Sequence, residues 1–325
     1  MFISQTQSVI MKSIVMLLII LGHNHILVPQ DGSSPLFRLL YGFHVSIFFI
    51  LPFFYDRKDL LTIENIGKVF IRNGVPYFLF FIFCYTVYHF VLINNGFNLS
   101  EFLGGFVSAP GYNAKSTTGF TFLWFLPVFL LMSLYKLIGN KYKILMVLFF
   151  IIGFIFSVNE EAYYFMRHSS FYLLKATFYY AIGLSAYFLS KYVKYMNCIG
   201  TIVFIALIIL YWIGYYQIST FYFSLAGFFS LYELTSKIDF SKIPFLSLIG
   251  KYSLPIYLTH VFIYNVLERI LPHTLLWGIL IYFMTIGLSL LISIVIYKIE
   301  IIRKVLFPKS WEEWIHFYQT TKALN

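Results

Sequence analysis

Long apolar runs alternate with short polar or turn-rich breaks along the whole chain. Each run approaches the roughly 20 apolar residues that a helix needs to cross a bilayer. The pattern predicts about ten transmembrane helices, over residues 9–27, 37–55, 75–94, 120–138, 143–158, 170–190, 198–216, 219–234, 246–267 and 274–297. The fifth and eighth are short, so tilted or partly re-entrant segments are expected there. Residues 56–74 read as a partly amphipathic loop, and 95–119, rich in Gly, Ser, Asn and Thr, as the longest loop on the other side. No internal repeat or low-complexity tract interrupts the series. The expected fold class is all-α: a polytopic integral membrane protein with a transmembrane domain over 1–297 and a tail over 298–325.

Composition supports that solvent. Sixty per cent of the residues are hydrophobic, 22% aromatic and 11% charged. Soluble domains carry about 25% charged residues, so these few charges cannot cover a water-facing surface, and a soluble enzyme is excluded. Disorder, which needs low hydrophobicity and high charge, is excluded too. Cys84 and Cys198 lie within or at the edge of apolar runs, without metal-ligand or disulfide spacing. They read as small buried hydrophobes. The first run is followed by no small-residue cleavage site, so it reads as a retained span.

The net charge of +10 then resolves into a pattern. With the N-terminus inside, the inner segments hold Arg57, Lys58, Lys68, Arg72, Lys136, Lys141, Lys143, Lys191, Lys194, Lys237 and Lys242. The tail adds Lys298, Arg303, Lys304, Lys309 and Lys322. The outer loops hold Lys115, Arg167 and Arg269, with Arg38 at an outer mouth. This asymmetry predicts a multi-pass protein of the inner (cytoplasmic) membrane with both N- and C-termini cytoplasmic. The basic residues form no patch, which argues against nucleic acid. Trp311, Trp314, Phe317 and Tyr318 among the tail charges fit either a segment lying on the inner membrane surface or a solvated one.

Ionisable residues within spans are costly and therefore candidates for chemistry. Lys12 and His23 are eleven residues apart in the first span. Eleven steps of about 100° return to nearly the same face after a rise of roughly 16 Å. One face thus presents a cation near the inner end and an imidazole in the outer half. His44 in the second span and His260 in the ninth fall at a similar depth. Three histidines from three spans suggest a shared polar cavity, with Asn24 and Tyr257 beside them. Imidazole takes and returns a proton near neutral pH, so it can activate a hydroxyl for attack on an acyl carbonyl. A metal is not expected, because no carboxylate joins the histidines within the spans. Lys68 and Arg72 at the inner mouth of the third span, Lys175 in the sixth and Lys251 in the ninth can meet an anionic ligand, or serve as helix-end cations. His25 reads as interfacial.

Four segments then resemble the membrane acyltransferase-3 family: Lys12 with His23; FHVSIFFILPFF (43–54); Arg72 with VPYFLF (75–80); and LWFLPVFLL (123–131) together with IGKYSLPIYLTH (249–260). They span most of the chain in the family's order. The spacing from Lys12 to His23 is most similar to the fucose 4-O-acetylase branch. There are departures. Val9 occupies the region where an acidic residue usually precedes the basic one, Leu51–Pro52 stands where Ser-Gly is common, and Phe122 replaces a polar residue before Trp124. The resemblance makes 1–297 a transmembrane acyltransferase domain. It implies an O-acyltransferase that carries an acetyl or other short acyl group from acyl-CoA, usually acetyl-CoA, to a sugar hydroxyl of a surface polysaccharide or its lipid-linked precursor. By that analogy His23 is the general base or transient acyl carrier, with Lys12 as its partner. Lys12, Arg72, Lys68, Lys251 and Lys175 would serve the donor's phosphates or carbonyl. His44, His260, Asn24, Tyr257 and Trp124 would line the acceptor. The bilayer, the acyl-CoA and a glycan are the expected partners, and homo-oligomerisation is left open. The rival reading is a transporter or flippase of polyprenyl-linked sugars, since aromatic spans also suit sugar rings. A polysaccharide polymerase would usually carry a larger, more basic outer loop than 95–119.

Overall fold

The computed structural model describes residues 3–29, 34–55, 60–107, 118–120, 122–168, 172–214 and 219–314, apart from the side chains of Arg167, His168 and Ser241. Arg57, Lys58, Lys115, Lys322, Phe317 and Tyr318 lie outside the described residues. Within the described residues every regular element is helical. In chain order the α-helices are α1 (Gln5–Gly22), α2 (Pro35–Ile50), α3 (Ile63–Val69), α4 (Val75–Thr86), α5 (Leu99–Val107), α6 (Phe125–Lys141), α7 (Lys143–Val158), α8 (Glu160–His168), α9 (Tyr172–Tyr192), α10 (Met196–Trp212), α11 (Thr220–Lys237), α12 (Pro244–Lys251), α13 (Ser253–Ile270), α14 (Leu275–Lys298) and α15 (Glu300–Leu306). The protein is thus an all-α polytopic membrane protein, with a helix at each predicted segment. Five stretches are by themselves long and apolar enough to cross a membrane: Gln5–Gly22, Pro35–Phe54, Ile63–Leu92, Phe122–Lys141 and Leu275–Lys298. Two bent pairs bring this to as many as seven: α7 with α8, at 111°, and α12 with α13, at 88°. The short fifth segment is the first of these pairs, and the ninth segment is broken at Tyr252.

Two expectations are corrected. Residues 56–74 are not simply a loop, because the chain is helical from Ile63 onward and joins the third span. Pro76 would normally break such a helix, since its ring clashes with the carbonyl four residues earlier. Here a π turn over Phe70–Gly74 precedes it and absorbs the misfit. Cys84 is buried as expected, but Cys198 is exposed. It shares α10 with exposed Ile199, Ile202 and Ile205, on a face that suits lipid.

The chain forms two compact units. The first comprises residues 1–56 and 182–294. There α1 packs against α2, α11, α12 and α13, and α11 against α2 and α10. Side chains such as Met11, Val15, Met16, Ile47, Phe49, Phe228 and Ile256 form its buried centre. In lipid, helices gain little from burying apolar surface against each other, so close van der Waals approach decides which faces pair. Gly250 shows the closeness. A Cβ built there would lie 2.0 Å from the Val9 carbonyl oxygen and 2.6 Å from Ser13 Oγ. Ser13 Oγ also donates to the Leu246 carbonyl, tying α12 across α1.

The second unit comprises residues 57–181 and 295–325. An aromatic ladder holds it together. Tyr77 stacks on Phe106 at 5.1 Å and donates its hydroxyl to the Phe106 carbonyl at 2.7 Å. Tyr85 stacks on buried His89 at 4.1 Å, and His89 Nε2 lies 3.7 Å from Glu101. Much of the aromatic content is therefore packing. Residues 298–314 of the tail fold onto the same unit. Phe307 is buried beside Phe80 at 6.3 Å and Tyr297 at 5.9 Å. Arg303 donates to both carboxylate oxygens of Glu313, which also accepts from the Lys309 backbone N–H at 2.7 Å.

That ion pair carries a pH prediction. The hydrogen bond from Arg303 holds the Glu313 carboxyl below its ordinary value. A depressed carboxyl stabilises the folded form at pH values above its unfolded pKa, and the contribution fades as pH falls through the folded pKa. Acidification to below about pH 4 should therefore loosen the tail. Limited proteolysis should show cleavage near Lys309 rising a few-fold, the size expected for one partly exposed ion pair. Glu313→Gln should show that rise already at neutral pH.

Candidate functional site

The site is built at the C-terminal end of α1. Ser4 caps the start of α1 by accepting from the Gln7 N–H at 3.1 Å. The helix runs unbroken through Gly22, and His23 is its C-cap in αR geometry. Lys12 and His23 are thus held on one continuous helix, as their spacing requires. His44 and His260 come to this end from α2 and α13. The His23 and His260 rings are 5.1 Å apart. Tyr41 bridges to His44, with ring centroids 6.3 Å from His23 and 5.0 Å from His44. The three histidines that share a depth in the sequence do come together, all within the first unit.

Their surroundings separate their roles. His44 is 1% exposed and His260 0%, whereas His23 is partly exposed. His260 Nδ1 lies 2.7 Å from the Tyr257 carbonyl and 3.2 Å from that of Ile256. His44 Nδ1 contacts the Leu40 carbonyl. A carbonyl can only accept, so Nδ1 of each ring carries a proton. His44 Nε2 faces α1: a Cβ built on Gly22 would lie 4.0 Å from it and 3.3 Å from the Tyr41 ring. An added carbon at 22 would crowd only the Tyr41 ring, by a few tenths of an ångström, and would meet His44 at ordinary contact distance. The buried pair is fixed by its own helices, and His23 is the member that keeps some exposed surface.

The other predicted residues fall as follows. Lys12 Nζ lies over the Tyr55 ring at 5.8 Å, and Tyr55 hydrogen-bonds Ser8 at 2.7 Å. Lys251 sits at the break between α12 and α13 with its Nζ over Tyr252 at 5.2 Å. It follows Gly250, which packs on Val9 and Ser13 around Lys12. Tyr257 is buried, 5.7 Å from His260. Asn24 is fully buried, with Nδ2 donating to the Gly278 carbonyl at 2.8 Å and Oδ1 accepting from the Leu27 N–H at 3.1 Å. It anchors the end of α1 to α14. The remaining four belong to the second unit. Lys68 pairs with Glu64. Arg72 lies in the π turn, with Nε donating to the Lys309 carbonyl at 3.4 Å. Lys175 is buried, and Trp124 stacks on Tyr179, one turn along from Lys175, at 5.9 Å. Among the described residues no group of three His, Cys, Asp or Glu could hold a metal ion.

One carboxylate was missed. His260, Tyr264 and Glu268 recur every fourth residue on α13, so they share one face. Tyr264 donates to Glu268 at 2.6 Å and accepts from the His25 backbone N–H at 2.8 Å. His25 Nδ1 lies 3.5 Å from Glu268. The spacing of four was available in the sequence. Glu268 lies at the end of its apolar run, and for that reason it did not register as part of the histidine cluster.

An acyltransferase domain family, acyltransferase-3, matches the chain over residues 10–298. The chain belongs to the membrane acyltransferase-3 family. Its activity class is therefore membrane O-acyltransfer, which separates it from the transporter reading. The match takes in Lys12, His23, His44, Arg72, Trp124, Lys175, Lys251 and His260. No curated protein and no solved structure matches this acyltransferase.

Proposed function

We propose that this acyltransferase moves an acetyl or other short acyl group from acyl-CoA to a sugar hydroxyl of a surface polysaccharide or its lipid-linked precursor, in the cytoplasmic membrane. The observation that carries the reading is the partly exposed His23 beside buried His44 and His260, on the helix that also bears Lys12. In this reading His23 takes the proton from the acceptor hydroxyl as its oxygen attacks the thioester carbonyl. The C–S bond breaks, and the proton passes from His23 to the departing CoA thiolate, giving ester and CoA thiol. A transient acyl group on His23 would divide the same chemistry into two steps. Lys12 and Lys251 attract the donor's phosphates or polarise its carbonyl, and Arg72, Lys68 and Lys175 are proposed as cations for an anionic donor. The distribution of basic residues supports an orientation with both termini inside.

The test is the purified full chain incubated with radiolabelled acetyl-CoA and lipid-linked glycans. Label entering the glycan with release of CoA thiol is the expected result. Absence of transfer from acetyl-CoA and from succinyl-CoA would overturn the assignment of donor.

A further inference from the structure

Residues 299–314 follow directly on α14, the last helix long and apolar enough to cross the membrane. They carry large apolar side chains that the protein leaves uncovered. Ile301 is 60% exposed and Trp311 55%, and Ile299 and Ile302 in the same segment are exposed too. Exposed apolar surface of this kind is unfavourable in water, and the depth of the segment supplies another solvent. Phe307, in its middle, is buried against Phe80 at 6.3 Å and Tyr297 at 5.9 Å. Phe80 lies in the second turn of α4, inside the crossing stretch Ile63–Leu92, and Tyr297 in the last turn of α14. Arg72, just ahead of α4, donates its Nε to the Lys309 carbonyl at 3.4 Å. The Arg303–Glu313 ion pair brings the chain after Lys309 back beside α15. The segment is therefore pinned to two crossing helices near their ends, which is the level of lipid headgroups. Trp311, paired with Trp314 at 5.7 Å, is the residue type that prefers that level.

Charge says which headgroup. Within 298–314, Lys304 answers Glu300 and Arg303 answers Glu313. The remaining charges are Lys298 and Lys309 against Glu312, and both lysines are exposed. Arg72 beside Lys309 adds a further positive charge. An apolar segment with an excess of lysine suits the surface of an anionic leaflet. We propose that residues 299–314 form a strap lying in the plane of the membrane surface, with Ile301 and Trp311 in lipid and Lys298 and Lys309 on anionic phospholipid headgroups. The order of the strap then depends on lipid charge. This surface is independent of the acyl-transfer reading, and its test requires no turnover.

The full chain is reconstituted in nanodiscs of phosphatidylcholine alone or of phosphatidylcholine mixed equally with phosphatidylglycerol. Backbone hydrogen exchange over 299–314 should slow by about tenfold in the mixed discs, between the expectations for one and for two lysines at an anionic surface. High salt should erase the difference, and inorganic phosphate added to phosphatidylcholine discs should not reproduce it. The double variant Lys298→Gln, Lys309→Gln should lose the lipid dependence while keeping the unfolding temperature of wild type. In a second measurement, phospholipids brominated near the headgroup should quench part of the tryptophan fluorescence, and Trp311→Phe should remove a share of that quenching. Equal exchange in the two lipids would overturn the proposal, as would an undiminished lipid effect in the double variant or an effect of free phosphate matching that of phosphatidylglycerol. Quenching unchanged by Trp311→Phe would place that ring away from lipid and overturn it as well.

Discussion

Replacing His23 by alanine is expected to reduce acyl transfer by about 10²- to 10⁴-fold, the range for losing a positioned general base. The expectation rests on a difference among three histidines. His44 and His260 are buried, each with Nδ1 against a carbonyl of its own helix. His23 alone among them is partly exposed, at the end of α1. Alanine at 23 removes no buried packing group of comparable weight, so the variant should insert and keep its unfolding temperature. Radiolabel transfer and thermal unfolding, measured on the same preparation, check both halves. Near-normal transfer by a folded His23→Ala protein would remove this residue from the mechanism. His260→Ala is a useful contrast. It should lower rate and stability together, because it empties a buried position 5.1 Å from His23.

The largest structural effect is expected from Gly250→Ala. The added carbon would lie 2.0 Å from the Val9 carbonyl oxygen, with Ser13 Oγ at 2.6 Å. Real Cβ atoms do not approach that closely, and the obstacle is backbone, which cannot swing aside like a side-chain tip. α12 must then move off α1 and lose the Ser13–Leu246 hydrogen bond. Overpacking of this kind costs about 1–3 kcal/mol or more, so the unfolding temperature of the detergent-solubilised chain should fall by several degrees. Lys251 follows directly on the displaced residue, so affinity for an anionic donor should weaken as well. Gly67→Ala is the control, because nothing lies within 4 Å of a Cβ there. Equal unfolding temperatures for the two variants would show that the α1–α12 contact is looser than this packing requires.

The resemblance to the acyltransferase family was legible in residue pairs a fixed distance apart. Lys12 and His23 needed only an unbroken helix, and α1 provides it through Gly22. The helical segments were legible because lipid demands long apolar runs, a demand that acts residue by residue. The fate of 56–74 was not, because whether Pro76 ends a helix depends on the π turn before it. The break at Tyr252 was also hidden: residues 246–267 read as one apolar run, and hydropathy does not register an 88° bend. Glu268 was missed because its partner His25 comes from the distant chain segment just after α1, and a carboxylate near a span end looks like an ordinary interfacial charge.

The sequence by itself determined the solvent, the helical class, the family and the three histidines. Each follows from composition, from the length of apolar runs, or from spacing within one segment. Tertiary structure decided which histidine stays partly exposed, which carbonyls lie against Nδ1 of the other two, and that Asn24 is used as an anchor. It also decided that Gly250 fixes where α12 crosses α1. The physical reason is that burial and hydrogen-bond partnership are properties of neighbours brought in from distant segments. In a membrane the approach of those neighbours is governed by steric fit between helix faces, which no single stretch of sequence contains.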